Sequence, residues 1–291
     1  MRIYQSQGFT LIELITVIVI ISILVAMSTQ LITLPVNSYL NIKRRTTLVD
    51  TADMSLRRMQ RDIRRALPNS IRITTVSNGV LLELLHTLDG GRYRADADMS
   101  ITVPTQTTCT KNSFAPNLID DTLDFGYPPD LCFEIMGNLT SFDPTAPHNE
   151  FLYIYNASTD PQSAYVPISD PKSNRRQVIK APDPNHILFS PLTSLLPFPY
   201  ESPQQLFTIV DTPVTYHCDL AHQQLLRYDH YDISPTPAIP NVTGQLQANK
   251  LKDCQFNYNG TTGLVSLAIT LQDTAGDTVT LMHQVHVDNG L

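Results

Sequence analysis

The sequence predicts an α+β protein, with one long N-terminal helix packed as a spine on a mostly β head. Three observations predict it. From Phe9 to Met27 run 19 residues in which Glu13 is the only charge. Beyond them, apolar residues recur every seven positions until Leu67-Pro68-Asn69. After that stop prolines are dense, and the last apolar residues alternate one by one, as strands require and helices do not.

The apolar run is close to the roughly 20 residues that cross a bilayer as a helix. A carboxylate inside such a run is costly and asks for a partner. A short polar leader, Met1 to Gly8, carries one charge, Arg2. No small-x-small site precedes a polar start, so a cleaved secretory signal does not fit. Lys43, Arg44 and Arg45 follow the span closely. Counted by Lys and Arg alone, they favour an orientation with the residues after the span in the cytoplasm.

The helical pattern continues past Met27. Ile42, Val49, Leu56 and Ile63 are seven apart, and Arg45, Ala52, Met59 and Ala66 take the companion positions. That is an apolar stripe over more than three heptads, with Lys43, Arg44, Asp50, Asp53, Arg57, Arg58, Arg61, Asp62 and Arg64 on the other faces. Pro35 removes a hydrogen bond and predicts a kink. If continuous, residues 9 to 66 would reach about 87 Å at 1.5 Å per residue.

Residues 71 to 291 read as strand and loop. Candidate strands are Ile71–Val76, Val80–Leu85, Phe151–Tyr155, Gln177–Ile179, His186–Phe189, Leu206–Tyr216 and Gln224–Tyr228. Leu264–Leu271 and Thr278–Val287 flank the turn at Asp273 to Asp277 and predict a hairpin with one buried face. The stretches 100–148 and 156–203 are rich in Pro, Asp, Asn, Ser and Thr and read as loops.

From Leu67 onward, 11 basic residues face 23 acidic ones. So acidic a head is unlike a nucleic-acid-binding surface. Four cysteines allow three pairings, among which loop economy favours Cys109–Cys132 and Cys218–Cys254. No Cys-x-x-Cys or Cys-x-x-His suggests zinc. Asp120, Asp121, Asp124 and Asp130 carry the oxygens a calcium ion takes but lack an EF-hand pattern, and a solvated acidic loop is the favoured reading. His283 and His286 fall on opposite faces of a strand, His217 abuts Cys218, and His222 and His230 sit in turns. No hydrolase or phosphate-loop motif occurs, so neither an enzyme nor a cofactor is expected.

Gly8-Phe9-Thr10-Leu11-Ile12-Glu13-Leu14, running into an apolar helix, resembles the type III signal of type IV pilins and pseudopilins. The resemblance implies a pilin-like fold. It also implies a prepilin peptidase that cuts after Gly8 and methylates the new N-terminal Phe9. Glu13 then lies one helical turn from the Phe9 amine and would meet that amine on a neighbouring subunit during assembly. Met59 to Ser70 is similar to the end of the long helix in MshO-type minor pilins of mannose-sensitive haemagglutinin (MSHA) pili. It is also similar to the J-type minor pseudopilin of type II secretion.

These resemblances divide the chain into a leader (1–8), a membrane and assembly half of the helix (9–35), its amphipathic half (36–67) and a periplasmic head (68–291). Expected partners are the prepilin peptidase, other minor and major pilins met through the helix, the inner-membrane assembly platform and, before assembly, the lipid bilayer. The expected location is the bacterial inner membrane, then the pilus tip. An anchored adhesin is the reading from another class, for which Tyr127, Phe198 and Tyr200 are candidate exposed aromatics, though they read equally as core or strand-edge residues.

Overall fold

A computed structural model describes residues 8–95, 122–123, 125, 131–158, 160–190 and 197–287. Those residues contain one long helix, α1 (Leu11–Arg64), with Pro35 inside it, and twelve strands. The chain forms two compact units, Met1–Asp50 and Thr51–Leu291.

In the first unit Ile42 and Val49 are exposed, so the heptad stripe is not a buried seam there. In the second unit it is: Ala52, Leu56, Met59 and Ile63 are completely buried. The helix stops where a polar backbone turn takes over. Leu67 N–H donates to Leu85 O and Thr87 N–H to Arg65 O, pairing Ala66 with His86 in an antiparallel bridge. Asn69 then takes a left-handed conformation (φ 56°), which asparagine tolerates better than most residues.

The strands are β1 (Arg72–Val76), β2 (Gly79–Tyr93), β3 (Cys132–Met136), β4 (Phe151–Ile154), β5 (Arg175–Ile179) and β6 (His186–Phe189). They are followed by β7 (Leu206–Asp219), β8 (Gln224–Tyr228), β9 (Gln245–Asn249), β10 (Leu251–Asn259), β11 (Leu264–Gln272) and β12 (Thr278–His286). Nine strands pair in the order β1-β2-β3-β6-β5-β4-β7-β8-β9, and β2 also pairs with β7. That extra pairing closes β2, β3, β6, β5, β4 and β7 into an antiparallel barrel. Its wall turns one set of alternating side chains inward, as the period of two requires. Tyr93, Phe133, Ile135, Leu152, Ile154, Val178, Ile187, Phe189, Phe207 and Ile209 form this buried core. The Phe133 ring lies 5.2 Å from Phe207 and 6.0 Å from Tyr93. Phe198, readable from sequence as an exposed loop aromatic or as a core residue, is buried in this cluster.

Outside the barrel, β1, the first part of β2, the last part of β7, β8 and β9 form an open sheet that holds the end of α1. Asp62 accepts from Tyr216 Oη (2.8 Å) and Arg227 Nε (2.7 Å), while Ser55 Oγ donates to Gln247 O (2.9 Å). Charge pairing thus fixes the register of a helix whose apolar side alone would let it slide.

Beside this sheet Arg72 holds an irregular segment in place. Its Nε donates to Glu83 (2.6 Å), Nη1 to Gln162 Oε1 and Pro235 O, and Nη2 to Ser234 O. Its guanidinium also lies 3.6 Å over the Tyr165 ring. Tyr165 closes a short 3-10 helix, Pro161–Tyr165, that Asp160 caps by accepting from Gln162 N–H.

A second sheet, β10-β11-β12, is tied to the first by the Cys218–Cys254 disulfide between β7 and β10. The predicted hairpin is β11–β12, with β10 as an unpredicted third strand. β3 and β9 were not predicted either. β3 interrupts the 100–148 stretch read as loop, and a 3-10 helix occupies part of 156–203. β2 outruns its expected end by passing through Gly90 and Gly91, where a Cβ on Gly90 would meet Phe207 O at 2.9 Å.

Candidate processing and assembly site

The site is built from the first residues of α1. Gly8 and Phe9 precede the helix and are exposed, Phe9 to 84%. A Cβ on Gly8 would meet nothing within 4 Å. The fold therefore sets no need for glycine at this position.

Thr10 is the residue before the first helical position, and Glu13 is the third residue inside. Thr10 N–H donates to Glu13 Oε2 (3.0 Å), as does Thr10 Oγ1 (2.9 Å), and Glu13 N–H donates back to Thr10 Oγ1 (3.4 Å). This is a capping box, in which side chains satisfy amide groups that a helix start leaves open. The Thr10-x-x-Glu13 spacing in the sequence is the signal for this box, a role for Glu13 beyond partnering an amine. Both bonds fall on Oε2. Oε1 makes no hydrogen bond among the described residues, so the carboxylate retains acceptor capacity on a second oxygen.

The following 18 residues, Leu11–Ser28, have a mean hydropathy of 2.7 and none is buried. Their few hydroxyls bond back to the helix: Thr16 Oγ1 to Glu13 O, Ser22 Oγ to Ile18 O and Ser28 Oγ to Val25 O. Such back-bonding leaves no hydroxyl of these three seeking water, as an apolar surrounding requires.

The family model described as the prokaryotic N-terminal methylation motif matches residues 4–29. The motif indicates a type IV pilin-like protein. No curated protein and no solved structure matches the chain. The pilin-like motif implies processing by prepilin peptidase and assembly with other pilins. One apolar N-terminal helix fits a single-pass membrane anchor.

The other candidates lie apart from this site. Cys132 is disulfide-bonded, while Cys109 lies outside the described residues, as do Asp120, Asp121, Asp124, Asp130 and Tyr127. Tyr200 is 63% exposed. His217 is buried on β7 with both ring nitrogens unpartnered, and burial lowers its pKa despite Asp219 nearby. A cleft of about 400 Å³ separates Ile71–Ile73 from Phe256–Tyr258. Among the described residues no three His, Cys, Asp or Glu side chains gather as a metal site.

Proposed function

We propose that the protein is a minor pilin of the MshO type, acting in initiation or tip assembly of an MSHA-type pilus. Prepilin peptidase removes residues 1–8 and methylates Phe9, and the head stands in the periplasm before assembly. The observation that carries this reading is Gly8-Phe9 followed by a capped Glu13 and an exposed apolar span. The head supports a minor role, since a barrel joined to a second sheet, with a long segment between β2 and β3, is bulky for a repeating lattice. Other pilins are met through the apolar helix, and the inner-membrane platform extracts it from the bilayer.

Deletion of the gene tests the reading. Loss of surface pili, restored by the wild-type chain, is the expected result. Intact pili with failed export of secreted proteins would assign the chain to type II secretion instead. Normal pili and normal secretion, with cell adhesion lost, would favour the anchored adhesin.

A further inference from the structure

β12 is an outer strand of the three-stranded sheet and, among the described residues, pairs with β11 alone. Its nine residues, Thr278-Val-Thr-Leu-Met-His-Gln-Val-His286, run in unbroken register against β11. They include no Pro, Gly, Lys or Arg. Free strand edges template further pairing, and proteins usually blunt them by shortness, bulges or charge. Among the described residues the other free edges carry such devices. β1 and β9 have five residues each, and β9 pairs with a register shift opposite Leu225 and Leu226. β10 shifts register between Leu251 and Asp253, with Lys252 at the shift. β12 has none of them.

The strand also reads alike from both ends. About Met282, exposed and covered positions mirror one another: Thr278 and His286 are exposed, Val279 and Val285 buried, Thr280 and Gln284 exposed, Leu281 and His283 half-buried. Met282, at the centre, is 65% exposed.

We propose that this edge pairs with the same edge of a second copy of the chain, antiparallel and centred on Met282. In that register Val279 faces Val285 of the copy, Thr280 faces Gln284, Leu281 faces His283 and Met282 faces itself. Valine thus meets valine and methionine meets methionine, hydroxyl meets amide, leucine meets an imidazole, and no acidic or strongly basic side chain is opposed. A two-fold contact requires a self-complementary patch of this kind. The two three-stranded sheets become one of six strands, and the exposed methionines cover each other. The inference stands on the edge alone and does not rest on the pilus reading.

The test uses the full chain in detergent micelles, with protein mass read by light scattering after size exclusion. The wild type should double in mass as concentration rises. Met282→Lys sets two ammonium groups face to face and should stay monomeric, with unchanged circular dichroism because the position is exposed. Under mild oxidation Met282→Cys should give a covalent dimer on non-reducing gels. Thr278→Cys alone should not, because it faces His286, whereas Thr278→Cys mixed with His286→Cys should. A wild type that is monomeric at every concentration overturns the proposal. So does a Met282→Lys protein that still dimerises, or Thr278→Cys that crosslinks to itself as readily as Met282→Cys.

Discussion

Thr10 and Glu13 bond each other through three contacts at the start of α1, all made within one turn of the helix. The carboxylate expected to await a neighbour's amine is already engaged, by one oxygen, in its own chain. Two roles are therefore separable by substitution. Glu13→Gln keeps an acceptor for Thr10 N–H and removes the charge, whereas Glu13→Leu removes both. If the charge serves assembly, both variants accumulate as processed protein and both fail to restore pili. If the cap alone matters, Glu13→Gln restores them. Processed-protein level against surface pili in the same cells decides it.

Gly8→Ala should be cut slowly, and Gly8→Val not at all. The fold has room for either side chain at this position, so any block belongs to the peptidase cleft. Intact mass of membrane-extracted protein should show a methylated Phe9 start for the wild type and a Met1 start for Gly8→Val. A Met1 start for the wild type, in cells with active peptidase, would contradict the processing proposed here.

Arg72→Met should be among the most destabilising single changes in the head. It strands the buried Glu83 carboxylate and frees the Ser234 and Pro235 carbonyls. Breaking one side of a buried pair costs about 3–5 kcal/mol. The double variant Arg72→Met/Glu83→Leu should recover part of that loss. Chemical denaturation of the four proteins of the cycle measures it.

Replacing Cys218 and Cys254 together by alanine should lower stability by about 2–4 kcal/mol, because the bond restricts a long loop of the unfolded chain. Peptide mapping without reductant should show this link and, we propose, one between Cys109 and Cys132. Free thiols at Cys109 or Cys132 in exported protein would contradict the second.

Acid should loosen the segment after β3. Burial raises the pKa of Asp89, but N–H bonds from Ser141, Gly90, Thr140 and Phe142 outweigh it and hold the carboxyl below its ordinary 3.8. A depressed carboxyl stabilises the fold above its unfolded pKa, and that contribution is lost as pH falls through the folded value. The stability gap between wild type and Asp89→Asn should hold steady at neutral pH and narrow below about pH 4. A gap unchanged down to pH 2 would remove the carboxylate from this role.

The spine was the most legible part of the chain, since a 19-residue apolar run and a heptad repeat need no tertiary knowledge to read. The heptads do not tell where burial begins: Val49 is 38% exposed and Ala52 fully covered. β11 was legible because Val265, Leu267, Ile269 and Leu271 alternate cleanly. β9 and β10 were not. In Gln245-Leu-Gln-Ala-Asn only Leu246 and Ala248 mark an apolar face, and in β10 Lys252 and Asp253 separate Leu251 from the alternating Cys254, Phe256 and Tyr258. Barrel closure was hidden for another reason. It depends on β2 and β7 pairing across more than a hundred residues of chain, which local periodicity cannot report.

The bridge between Ala66 and His86 has a mechanical consequence. Past α1 the chain leads into β1, a five-residue strand with one neighbour, which a pull on the helix would peel away bond by bond. The bonds from Leu67 to Leu85 and from Thr87 to Arg65 intercept that pull first and pass it to the middle of β2. β2 is held on both sides, by β1 and β7 in its first half and by β7 and β3 at its end. Tension is thus shared among many ladder bonds strained together, and the short outer strand is shielded from the load.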